Sequence, residues 1–144
     1  MKRIAVFVAI LLSAVGAGAF WVAAQEGRPG SSLPFSPARE AGDTLYVSGQ
    51  IAISPDGSEV RGSVAAETRQ VMANIGRTLR QHGYDYDDVV RATVYLHDIG
   101  DYAEMNEAYA AFFTAPYPAR ACVGGVDIVR GFRVEISVVA YRGE

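Results

Sequence analysis

Between Val64 and Leu79 the inward-type residues Val64, Thr68, Val71, Met72, Ile75 and Leu79 recur at spacings of four, three, one, three and four. That period places them on one face of an α-helix. Ser63 offers an N-cap hydroxyl, and Glu67 puts an anion in the first turns, where the macrodipole favours one. Arg77 and Arg80 lie toward the other end, and Gly83 can close it. Val89 to Leu96 follows a different rule: Val90, Ala92, Val94 and Leu96 alternate with Arg91, Thr93 and Tyr95, the pattern of a half-buried strand. Thr44 to Ser48 reads as an earlier strand after the turn Ala41-Gly42-Asp43. Gly49-Gln50 interrupts it, and Ile51 to Ile53 is read as its continuation. A glycine at the interruption indicates a bulge or the close approach of another group. Ser54-Pro55-Asp56-Gly57 has turn chemistry.

A second helix follows, with Asp101 and Glu104 at capping-box spacing and Tyr102, Met105, Tyr109 and Phe112 as its apolar face. Pro116 and Pro118 end it. Arg120 to Val123 and Arg133 to Tyr141 are the last strands. In the final one Val134, Ile136, Val138 and Ala140 face one way, and Arg133, Glu135, Ser137, Val139 and Tyr141 the other. The order strands, helix, strand, helix, strands predicts an α+β domain with two helices on one face of a mixed sheet. The opposite sheet face keeps Tyr95, Val139 and Tyr141, so self-association is expected.

Composition narrows the function. The chain has 144 residues, half of them hydrophobic, enough for one domain with a core and too little for two. Its net charge is -3 with no basic block, which gives no footprint for nucleic acid. With one cysteine, Cys122, no intrachain disulfide can form, and no His, Cys or carboxylate spacing resembles a metal site. Residues 1–24 are set apart: Met1-Lys2-Arg3 is basic, and Ile4 to Ala24 is apolar or small except Ser13. They read as a secretory signal peptide ending at Val22-Ala23-Ala24, or as an uncleaved membrane anchor through residues 4–24. Either way the domain is expected outside the cytoplasm, exported, periplasmic or secreted. Residues 25–33, rich in Gly, Ser and Pro, read as a flexible tether, and the domain spans 34–144.

The candidate chemistry lies in the last quarter. Arg120 opens a short apolar strand, and Glu135 sits within a strand of apolar neighbours. A charge held in such surroundings is paired or used. A planar guanidinium can grip a carboxylate through two parallel hydrogen bonds, and a carboxylate can take a proton from an attacking water. The structural alternatives are an Arg120 paired with a carboxylate of its own chain and a Glu135 that neutralises a nearby arginine, such as Arg133 on the same strand face.

Pro34-Phe35-Ser36-Pro37-Ala38, Gly42 to Gln50 (GDTLYVSGQ), Val94-Tyr95-Leu96-His97-Asp98, Met105-Asn106-Glu107-Ala108-Tyr109 and Pro118-Ala119-Arg120 together resemble the RidA/YjgF (Rid) family from about Pro34 to Tyr141. The resemblance implies a chorismate-mutase-like fold and a homotrimer with clefts between subunits. It also implies hydrolysis of 2-iminoacids or 2-enamines to 2-keto acids and ammonia, without metal or organic cofactor. It matches Arg120 to the family's carboxylate-binding arginine and Glu135 to its cleft glutamate. Cys122, Asn106, the pair Ser48 and Gly49, and Phe35 match its substrate-contacting positions. Two departures are Ile128-Val129, where the family usually has Leu-Pro, and Ser137, where an acid is frequent. For Cys122 a small buried thiol is an equal alternative, and it is not read as a nucleophile. Asn106 either reaches the cleft or caps a loop. Phe35 packs on substrate or is ordinary core, and Ser48-Gly49 admits substrate or is a plain bulge. The rival function is an exported binding protein for small carboxylates or a protein partner, without turnover. A nuclease is disfavoured by the missing basic patch, and no holdase surface is legible.

Overall fold

The computed structural model describes residues 33–143. The expected leader, 1–24, lies outside the described residues, as does nearly all of the expected tether. Five strands form one sheet: β1 (Ala38–Ala41), β2 (Thr44–Gln50), β3 (Val89–Leu96), β4 (Ala119–Gly124) and β5 (Val134–Tyr141). Their order is β1-β2-β5-β3-β4. β5 runs antiparallel to both β2 and β3, and β4 lies parallel to β3. Two helices, α1 (Val64–Gln81) and α2 (Tyr102–Ala110), pack against one another, and α1 packs on β2 and β5. The predicted mixed sheet with two helices is therefore the architecture.

The expected helical stripe builds the core. Val64, Val71, Met72, Ile75 and Leu79 meet Leu45, Val47, Ala92, Val94, Leu96 and the inward row of β5, Val134, Ile136, Val138 and Ala140. Ser63 caps α1, its Oγ accepting from the Ala66 N–H at 3.1 Å. Glu67 goes further than its expected part in the helix dipole. It is 1% exposed and accepts the Arg133 N–H at 2.7 Å, tying the first turns of α1 to the entrance of β5.

Four local expectations are corrected. Val90 points to solvent, 48% exposed, because the ladder to β5 slips between Val89 and Arg91 and breaks the alternation there. Ile51 to Ile53 does not continue β2. The Asn74 side chain of α1 donates to Ile51 O at 3.1 Å and Ile53 O at 2.8 Å, drawing those carbonyls out of the sheet. The capping box at Asp101 does not form. The Arg133 guanidinium takes the Asp101 carboxylate at 2.6 and 3.0 Å, and Glu104 accepts the Ala65 N–H of α1. Phe112 lies beyond the end of α2, packed against the core edge. β1 was not foreseen, since only its pairing with β2 extends Ala38 to Ala41.

Asn74 is 2% exposed, and its amide is shared among two carbonyls and Gln70. Asn74→Ala would leave both carbonyls without these donors. The expected cost is about 2 kcal/mol of stability, read as a lower urea midpoint with an unchanged slope.

Candidate functional site

The parallel pairing of β4 with β3 decides where Arg120 points. Arg120 lies opposite Ala92 and Cys122 opposite Val94, and both β3 residues are fully buried. Paired residues share a face, so Arg120 and Cys122 project on the helix side of the sheet edge. There α2 receives the guanidinium: Nη2 donates to Asn106 Oδ1 at 2.6 Å and to Tyr102 Oη at 3.4 Å. The guanidinium carbon lies 4.8 Å from the centre of the Tyr109 ring. A hollow of about 370 Å³ opens beside it, lined by Asn106, Tyr109, Ala110, Tyr117, Pro118 and Arg120. Arg120 supplies the charge in that lining. Among the described residues no carboxylate pairs with it, whereas Arg61, Arg130, Arg133 and Arg142 each hold one. The alternative of an internal ion pair at Arg120 therefore finds no partner there.

Cys122 is half-buried beside this group. Burial pushes its thiol pKa up, and the Arg120 charge opposes that in part.

Glu135 belongs to the opposite face. It pairs with Tyr95 of β3, whose side chain reaches solvent on the side away from the helices. Its carboxylate lies over Gly49, in the space that a Cβ at that position would fill. The glycine stands where the β2–β5 register slips between Val47 and Gln50, so the expected bulge and the expected close approach occur together. Beside it the Ser48 hydroxyl donates to Ser36 O at 2.7 Å, and the Ser48 N–H to Pro37 O at 3.0 Å. These bonds fix the segment that carries Phe35. That ring is 61% exposed, which removes the reading of Phe35 as ordinary core. Burial raises the Glu135 carboxyl above its ordinary range, and no hydrogen-bond or ion-pair partner is found for it among the described residues. Arg133, its expected structural partner, is committed to Asp101 instead.

The chain therefore carries two separated groups. Arg120, Asn106 and Cys122 meet at the helix side of the β4 edge. Glu135, Gly49, Ser48 and the Phe35 segment meet on the outer face of β2 and β5. The sequence reading missed the aromatic surround of Arg120. Tyr102 and Tyr109 were assigned to the apolar face of α2, although they stand four before and three after Asn106 and so share its side of the helix. Tyr117, exposed at the rim of the hollow, was not singled out.

Comparison with known proteins gives a consistent result. Residues 25–142 match the family described as Endoribonuclease L-PSP. A RutC family protein of Pyrococcus horikoshii is 41% identical over 118 residues, covering 81% of this chain and 94% of its own. The human 2-iminobutanoate/2-iminopropanoate deaminase is 40% identical over 116 residues, covering 80% of this chain and 85% of its own. Among solved structures, RidA from an Antarctic Psychrobacter species superposes with a TM-score of 0.74 at 36% identity, covering 78% of this chain and 91% of that one. Its relatives share the chorismate-mutase-like fold. The comparisons also correct the expected location. The matched relatives are mostly cytosolic enzymes of the RidA family, so the exported, periplasmic or anchored placement is withdrawn. The sheet order, the placing of the motif residues and these matches together make the chain a member of the RidA/YjgF family, the family described as Endoribonuclease L-PSP.

Proposed function

We propose that the protein hydrolyses reactive 2-iminoacids and 2-enamines to 2-keto acids and ammonia in a cleft between two protomers. The observation that carries this reading is a pair of opposite charges uncommitted among the described residues: a half-buried guanidinium with no carboxylate partner there and a half-buried carboxylate with no cation there. Each lies on a different surface of the chain, so a second copy is needed to bring them together. The outer face supplies adhesive area in Tyr46, Tyr95, Val123 and Tyr141, all substantially exposed. Two unlike patches meeting head to tail generate a ring when the rotation closes, and the family resemblance implies three copies.

In that cleft Arg120 holds the substrate carboxylate. Water adds to C2 of the protonated imine while Glu135 takes one of its protons, leaving a neutral carbinolamine. Glu135 returns the proton to nitrogen, and the carbon–nitrogen bond becomes labile. Loss of the hydroxyl proton to Glu135 forms the keto group as ammonia departs, and ammonia then carries that proton away. Such imines already react with water, so orientation and proton transfer suffice. Asn106 keeps the guanidinium in place, and Cys122 and Phe35 border the substrate. Nothing observed favours a non-catalytic binding role or a clustered cationic surface for RNA.

The test supplies the purified protein with iminoacids made in situ by an amino-acid oxidase. Accelerated ammonia release with multiple turnovers is expected. Saturable binding without release would refute the enzymatic reading.

A further inference from the structure

We propose that Tyr109 is a positioning residue: its ring is the platform that holds the Arg120 guanidinium while leaving hydrogen-bonding edges of that group open to a carboxylate. The inference rests on the carboxylate-anchor reading of Arg120. A half-buried cation is normally stabilised by an anion. Here an anion would occupy the donors that the substrate needs. An aromatic face solves that conflict, because its quadrupole attracts the cation from below without accepting the in-plane N–H groups.

The geometry fits. The Arg120 guanidinium carbon stands 4.8 Å from the Tyr109 ring centre, within cation–π range. The hydrogen bonds found for the guanidinium come from Nη2 alone, so Nε and Nη1 make none among the described residues. Tyr109 is itself immobilised, being 4% exposed. Its ring packs on Phe113 at 4.8 Å between centres, and Phe113 meets Tyr86 edge-on at 5.7 Å. The Tyr86 hydroxyl donates to Met72 O of α1 at 2.7 Å, fastening this stack to the longest helix. By contrast, the Tyr109 hydroxyl is buried with no hydrogen-bond partner among the described residues, and its pKa is pushed up to about 12, chiefly by that burial. The ring, not the hydroxyl, is therefore the working part.

The experiment measures the Kd for 2-oxobutanoate, a 2-keto acid, by calorimetry, so it does not depend on turnover. The wild type, Tyr109→Phe, Tyr109→Leu and Arg120→Ala are compared. Tyr109→Phe should bind within about twofold of wild type, and Tyr109→Leu about tenfold more weakly. Because leucine could disturb the aromatic stack, a series with zero to three ring fluorines on phenylalanine at position 109 keeps the shape while weakening the quadrupole. Kd should rise with each fluorine. A flat series, or Tyr109→Phe as weak as Tyr109→Leu, would overturn the platform while an affected Arg120→Ala left the anchor standing. A wild-type affinity in Arg120→Ala, or no keto-acid binding by the wild type, would overturn the anchor and the platform with it.

Discussion

Arg120→Ala is expected to lower kcat/KM for a 2-iminoacid by about a thousandfold, and Arg120→Lys to recover little of that loss. A charge-assisted hydrogen bond contributes about 1.5–3 kcal/mol, and a forked pair contributes two of them. At about 1.4 kcal/mol per tenfold, the loss of both is worth two to four decades. Lysine keeps the charge but brings a point-like head on a flexible stem, and it cannot match a planar carboxylate edge to edge. It would also lose the guanidinium's cation–π contact with the Tyr109 ring and the bond to Asn106 Oδ1. Most of the change should appear in KM, with kcat falling as the imine carbon drifts from the water. Steady-state kinetics over a range of iminoacid concentrations makes the separation. Folding should be nearly unaffected, because Arg120 supports no carboxylate among the described residues.

Glu135→Gln is expected to reduce kcat by about a thousandfold, the middle of the range for a positioned general base. Gly49→Ala should mimic much of it. The added methyl would enter the space held by the Glu135 carboxylate, and the flexible end of Glu135 would yield rather than the backbone. The variant should fold normally with its catalytic base displaced. Ionised Glu135 is the working form, so activity should be lost as pH falls through its pKa. Burial raises that pKa, and the substrate's carboxylate offsets the Arg120 charge across the cleft. The acid limb should thus lie above the ordinary glutamate range and vanish in Glu135→Gln. For folding, the same shift acts in the other direction. A raised carboxyl pKa makes the charged form costlier in the folded state, so stability falls as pH rises from the ordinary value of 4.5 through the raised one. Glu135→Gln should flatten that fall in urea titrations at several pH values.

The parts of the fold set by local periodicity were legible. The α1 stripe from Val64 to Leu79 and the inward row of β5 needed only spacing. What escaped depended on partners distant in the chain. Val90 turns outward because of a register slip against β5, and Asp101 fails to cap because Arg133, 32 residues later, takes its carboxylate. Ile51 to Ile53 leaves the sheet because Asn74 captures its carbonyls. The site divides in the same way. Residue types and motif order pointed to Arg120, Glu135, Asn106 and Gly49, and the bulge at Gly49 was readable from its glycine. The face taken by Glu135 followed from the alternation along β5, whereas the face taken by Arg120 could not be read, because that turns on how β4 registers beside β3. Tyr109 was visible three residues after Asn106 but resembled any core aromatic, since its contact with Arg120 is a tertiary one.

The claim that the two charged groups serve one site across protomers can be tested by mixing. Arg120→Ala and Glu135→Gln, each nearly inactive alone, are co-refolded in equal amounts and assayed for ammonia release from an iminoacid. Random assembly gives each shared cleft about one chance in four of receiving both intact residues, so about a quarter of wild-type activity should return. Co-refolded assemblies no more active than their parents would contradict a shared cleft.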